Sequence, residues 1–364
     1  MVLYFLIFIL LAFIGFLKTR YELENNLVFP FLLIVLVLFA ALRGPYVDKD
    51  YQNYIESFTF FLTPAEYFKN MGDWFMFEPL YYLIPSFLKT IDISHYEAVT
   101  FFIFASISVS INLFAISRIS NFPLLSIITW FSFNYLLHEM TQIRAGVAVA
   151  LLLVCLYQHY HRNYIGFILT FLLALMFHYT SLLILPILFL RPKSFNIRIN
   201  FFILGISLIL GFLRSDFLIS PVFLIDAAFV KKLTATLQAM TEDQNSINFI
   251  NPVFISQVLI TIWLFINHKN LIVNNKYSYL LLKLQLLCIF SMCAFSSIAV
   301  IAFRVSEFYG IVTILTMPLL VYTFKQRIIG YSAVVGYALF ILFNFVVLQK
   351  LVGPYELIFF SDYR

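Results

Sequence analysis

The sequence predicts an all-α, polytopic transmembrane helical bundle of roughly 10–12 membrane segments, short or re-entrant helices among them. Three observations predict it. Apolar residues make up 62% of the chain and charged ones 11%. Apolar runs recur along its length, many of about 18 residues or more, enough for a helix to cross ~30 Å of hydrocarbon. Short segments of alternating polarity, the mark of an outer-membrane barrel, do not occur in the sequence. Length therefore counts spans rather than soluble domains, and residues 1–364 are expected to form a single integral membrane domain.

Composition also excludes partners. The net charge of +5 is spread singly between apolar runs, with no clustered basic face, so no nucleic acid is expected. Cys155, Cys288 and Cys293 all fall inside apolar segments, with no spaced pairs to imply disulfides or a zinc site.

In chain order, residues 2–17 lack a basic leader and a small-residue cleavage site and read as the first span. Further spans are expected near 27–42, 97–117, 123–140, 144–160, 199–213, 252–267, 279–301, 305–324 and 328–348. Residues 74–89 carry Trp74, Glu78, Pro79 and Pro85, which suits a re-entrant or interfacial helix. Residues 164–190 are too few for two full α-helical crossings and break at His178. Two shortened helices meeting inside the membrane are expected there, since irregular backbone is tolerated beside a cavity.

Lysine and arginine placement sets the orientation. With the N-terminus outside, Arg118, Arg162, Arg198 and Lys325 fall inside, while Lys49, Arg144, Lys231 and nearly all the acids fall outside. Two outer segments are long, 43–96 and 214–250. The second reads as an interfacial helix from Pro221 to Met240.

The stretch from Thr141 to Ser181 organises the candidate site. Arg144 opens one apolar run and His178 breaks the next, and ionisable groups at bilayer depth usually face a wetted, protein-lined cavity. Antiparallel spans would bring both to one membrane face. The same face receives Arg43 with Asp48, Asp50 and Tyr54; Glu78 with Tyr81; and Arg304 with Glu307 and Tyr309, expected between two spans. Arg43, Arg144 and Arg304 suit an anion, because guanidinium groups bind phosphate oxygens in bidentate fashion. His178, Asp50 or Glu78 could take a proton from a hydroxyl, His178 being preferred and Asp50 next. Each group also has a simpler reading: arginines as interfacial anchors, Glu307 as a partner for Arg304, Asp48 and Asp50 as solvated loop acids.

These motifs, in this order, resemble the EpsG/Wzy-type polysaccharide polymerases. The resemblance rests on Arg43 followed by Asp50 and Tyr54, then Glu78-Pro79-Leu80-Tyr81, then Ile143-Arg144-Ala145-Gly146-Val147-Ala148. It continues through Ala174-Leu175-Met176-Phe177-His178-Tyr179-Thr180-Ser181 to Arg304 and Tyr309, and covers about residues 30 to 330. It departs at Asp48, where the family pattern has glycine. The resemblance implies a metal-independent glycosyltransferase of the bacterial inner membrane, without cofactor. Such an enzyme would join undecaprenyl-pyrophosphate-linked repeat units into O-antigen or exopolysaccharide at the periplasmic face. It further implies a chain-length regulator and a repeat-unit flippase as partners. Two other classes share the features: a transporter or flippase of a lipid-linked or anionic solute, and a glycan ligase using the same donor. Transport needs polar groups along a midplane path, and the cytoplasmic half offers little beyond Lys283 and Gln285.

Overall fold

The computed structural model describes residues 1–21, 25–69, 77–213 and 247–358. Among these residues the only strand-like pairing is an isolated antiparallel bridge between Arg43 and Leu357; the regular structure is helical. The protein is an all-α polytopic membrane protein. Four of its described helices are long and apolar enough to cross a membrane, and seven shorter apolar helices accompany them. Trp74 and the interfacial helix expected over 221–240 lie outside the described residues. Contacts divide the chain into two compact units, residues 1–188 with 326–364, and residues 189–325.

In the first unit, α1 (Val2–Tyr21) and α2 (Asn25–Ala41) are followed by a corner at residues 42–50. The short helices α3 (Tyr51–Phe60), α4 (Pro64–Lys69) and α5 (Pro79–Thr90) come next. At 1.5 Å per residue α5 reaches only about 18 Å, too short to cross. It begins on a proline whose missing N–H costs nothing at that position. One side of it buries Tyr81, Tyr82, Pro85 and Leu88.

α6 (Tyr96–Ile119) packs against α2 and against α8 (Ile143–Tyr160). Between them α7 (Pro123–Trp130) runs on as a π-helix over Phe131–Thr141. α8 and α9 (Tyr164–Phe177) form an antiparallel hairpin, tied by a Gln158–Thr170 side-chain hydrogen bond of 3.0 Å. α9 stops at His178, whose extended backbone leads into a 3₁₀ helix over Tyr179–Phe189. A 3₁₀ helix rises ~2.0 Å per residue, so this second piece reaches about 22 Å against about 21 Å for α9. That is how a run too short for two α-helical crossings still yields two pieces of similar length.

In the second unit α13 (Ser278–Ala294) is central. Around it stand α10 (Ile197–Leu213), α11 (Pro252–Ile266), α12 (His268–Asn274) and α14 (Ala299–Gly310). α15 (Thr313–Thr316) continues into a 3₁₀ turn over Met317–Thr323. Here one expectation needs correction. The span read as 279–301 ends at Ala294, and the chain turns at Phe295-Ser296-Ser297-Ile298 before α14 begins. Arg304 is thus inside a helix rather than in a loop between spans. Hydropathy reads across the turn because phenylalanine and isoleucine flank it, whereas serine side chains compete for backbone partners and favour helix ends.

The chain returns to the first unit as α16 (Arg327–Phe343), with a π turn over Asn344–Leu348, and packs on α7 and its π-helical extension. Phe345 stacks on Phe133 at 3.9 Å. The last described residues lie across the 42–50 corner. Gly44 N–H donates to the Glu356 carbonyl at 2.8 Å, Gly353 N–H to Val47 at 2.7 Å and Ile358 N–H to Leu42 at 2.9 Å. Gly353 has no room for a side chain, because a Cβ there would strike the Tyr46 carbonyl.

Candidate functional site

The first turn of α8 begins the site. An arginine at a helix N-terminus opposes the helix dipole, so Arg144 needs a negative partner. Gly146, one turn in, lets this end of α8 press against the π-helix, since a Cβ there would stand 2.5 Å from the His138 carbonyl. Across the hairpin, His178 occupies the C-cap of α9, where its N–H is satisfied by the Ala174 carbonyl at 2.9 Å.

Glu78 joins the two. It sits at the N-cap of α5 in extended conformation but makes no capping bond with its side chain. Instead Oε2 accepts from Arg144 Nη1 at 2.9 Å, and Oε1 faces His178 Nδ1 at 2.6 Å. The Tyr179 N–H also points at Oε1, at 3.5 Å, and the Tyr179 hydroxyl donates to the Phe77 carbonyl at 3.3 Å. The Glu78 side chain is 5% exposed, that of His178 19% and that of Arg144 33%, so the carboxylate is the floor and the two cationic groups are the rim.

Electrostatics follow from that layering. Burial works against the charged form of Glu78, but the His178 hydrogen bond and the Arg144 charge outweigh it and hold its carboxyl down at about 2, from an ordinary 4.5. An ionised carboxylate can only accept, so Nδ1 of His178 carries the hydrogen of this contact and Nε2 is the ring nitrogen left for another partner. Arg144 spends Nη1 on Glu78 and lays its guanidinium over the Tyr81 ring at 4.5 Å from the centroid. Tyr54 meets Tyr81 edge to face at 6.0 Å, and burial pushes its hydroxyl pKa up. Both tyrosine rings are nearly closed to solvent. They pack against the guanidinium and support it.

The other predicted residues fall elsewhere. Arg43 and Asp48 pair with each other at 2.7 Å with no side-chain exposure on either. Arg43 Nη1 donates to the Ala40 carbonyl at 2.7 Å, and its guanidinium lies 4.6 Å from the centre of the Phe101 ring. Asp48 uses its second oxygen to accept the Asp50 N–H at 2.9 Å. Asp50 itself is half-buried at the N-cap of α3. Arg43, expected on an anionic substrate, and Asp48 beside it thus form a closed corner, the physical reason being that each neutralises the other where neither side chain reaches bulk solvent. In the second unit Arg304 is exposed on α14 and makes no ion pair with a described residue. Glu307 is half-buried, and Tyr309 is buried against Phe308.

Sequence reasoning missed Tyr179 and Glu139. Glu139 lies inside the span expected over 123–140, is buried, and accepts from Asn112 Nδ2 at 3.1 Å. The signal was available: His138-Glu139 is an ionisable pair in an apolar run, as costly there as Arg144.

Compared with known families, residues 26–357 match the model of the EpsG family. Comparison with curated proteins and with solved structures gives no match.

Proposed function

The chain belongs to the EpsG family, and on that premise we propose that it is a membrane polymerase joining undecaprenyl-pyrophosphate-linked repeat units into O-antigen or exopolysaccharide. The observation that carries the reading is one buried carboxylate, Glu78, holding Arg144 with one oxygen and His178 with the other. It sets a phosphate-binding fork and a base side by side.

The chemistry is a displacement at the anomeric carbon of the donor. His178 Nε2 takes the proton from the acceptor hydroxyl while that oxygen bonds to the anomeric carbon. The bond from that carbon to the pyrophosphate oxygen breaks, and polyprenyl pyrophosphate leaves with the electron pair. Glu78 remains ionised, fixes the imidazole tautomer and stabilises the imidazolium that forms, as an orienting carboxylate does in a catalytic triad. The exposed part of the Arg144 guanidinium binds the departing pyrophosphate, where charge grows in the transition state. The loop charge bias supports a site on the periplasmic face of the inner membrane.

Purified protein in proteoliposomes, given a synthetic polyprenyl-pyrophosphate-linked repeat unit, tests the proposal. Wild type should build a ladder of chain lengths and Arg144→Ala none. Arg144→Lys should recover little, because an ammonium cannot reproduce the fork. Movement of the lipid-linked unit across the bilayer without elongation would instead support the transporter reading.

A further inference from the structure

We propose that Glu139 is a positioning residue for Arg144. Its carboxyl ties α6 to the π-helical segment that launches α8, and so fixes where the Arg144 guanidinium stands.

Three observations carry this. Glu139 is 2% exposed and accepts from Asn112 Nδ2 at 3.1 Å, while the same Nδ2 donates to the Ser108 carbonyl at 3.2 Å, locking the amide to α6. The other Glu139 oxygen stands 3.5 Å from where a Cβ on Gly146 would be, so the carboxyl lies directly against the first turns of α8. That junction has no slack. The Gln142 N–H donates to the Leu137 carbonyl at 2.7 Å, the wide π-type closure, and the Gly146 N–H donates to Gln142 at 2.8 Å. Between Glu139, held by Asn112, and Arg144 there are only the end of the π-helix, Gln142 and the first residue of α8, Ile143. π-helical turns are costly and are often kept where they aim a functional side chain.

A bulky apolar residue at 139 would fill the same space without a polar bond, so packing alone does not explain a carboxyl there. The bond to Asn112 has direction, and direction is what an arginine fork needs. Glu139→Gln keeps an oxygen that accepts from Asn112. Glu139→Ala and Asn112→Ala each remove the bond from one side.

The test reads Arg144 itself. Purified protein in nanodiscs is treated with phenylglyoxal, and modification of Arg144 is followed by mass spectrometry, with exposed Arg304 as reference in the same molecule. Glu139→Ala and Asn112→Ala should each speed Arg144 modification about fivefold relative to Arg304, the factor for one lost buried hydrogen bond. Glu139→Gln should leave it within about twofold of wild type. An unchanged rate in Asn112→Ala, the variant that leaves the Glu139 packing in place, would overturn the proposal even if Glu139→Ala fails to fold. So would Glu139→Gln behaving like Glu139→Ala. A second arm rests on the polymerase reading: Glu139→Ala should raise the Kd for the synthetic lipid-linked donor in wild type but change it little in an Arg144→Lys background, binding being read without turnover. Additive losses there would point to general destabilisation and count against the proposal. Should the polymerase reading fail, the modification rates still decide.

Discussion

Replacing Glu78 by glutamine removes a charge while keeping the shape, and the structure says what should follow. The carboxylate makes two charge-assisted contacts, 2.9 Å to Arg144 and 2.6 Å to His178. Such bonds are each worth about 1.5–3 kcal/mol where both partners are buried. Arg144 is 33% exposed and therefore partly screened by solvent, which puts the stability loss near the low end, about 2 kcal/mol. The catalytic loss should be much larger. Glutamine has one acceptor oxygen for two donors, so its NH₂ must face either Arg144, which repels it, or His178 Nδ1. The second arrangement forces the hydrogen onto Nε2 and removes the lone pair that takes the acceptor's proton. The same tautomer error in a catalytic triad costs about 10⁴ in kcat. Glu78→Gln should therefore lower kcat by on the order of 10³ or more, with a smaller rise in donor KM. The assay is transfer of a lipid-linked repeat unit by protein in nanodiscs, with thermal melting run in parallel. A variant that melts normally and keeps kcat within about threefold of wild type would refute the dyad reasoning.

Three further outcomes follow from the same geometry. The Glu78 carboxyl is held at about 2 rather than 4.5, so the stability it contributes is complete above pH ~4.5 and lost as pH falls toward 2. The melting gap between wild type and Glu78→Gln should therefore shrink as pH falls below ~4.5; a gap that widens there would contradict the shift. Asp48→Ala leaves the Arg43 guanidinium buried without its carboxylate and should cost about 3–5 kcal/mol in detergent melts. A loss under ~1 kcal/mol would show that the pair is solvated and would contradict a buried ion pair. Cysteines placed at Lys49 and Arg162 should react with an impermeant reagent from opposite faces, and labelling from one face would break the orientation.

What could be read from the sequence divides along a physical line. Span positions come from hydropathy, a local property, and α6, α8 and α16 lie close to where apolar runs put them. Arg144 and His178 stand out because a charge in hydrocarbon is costly wherever the rest of the chain goes. That they meet at one carboxylate is tertiary: Glu78 is 66 residues from Arg144 and 100 from His178. Only the fold brings α5 under the open end of the α8–α9 hairpin. Arg43 shows the converse. Arginine after a span resembles a ligand-binding group, yet Asp48, five residues on, closes over it and the C-terminal segment covers the backbone. Glu139 was lost because a run of apolar neighbours averages a single acid away. The 295–298 turn was lost for the same reason, with two serines hidden between phenylalanine and isoleucine.

The central claim is that His178, oriented by Glu78, removes the acceptor proton while Arg144 holds the leaving pyrophosphate. Its most direct measurement is the single-turnover rate of sugar transfer between two synthetic lipid-linked repeat units, compared for His178→Ala and Asp50→Asn in protein that melts like wild type. The account predicts a loss on the order of 10² or more for His178→Ala and a rate within about tenfold of wild type for Asp50→Asn. Near-normal transfer by His178→Ala, with transfer abolished in Asp50→Asn, would contradict it and move the base to the corner that Arg43 and Asp48 build.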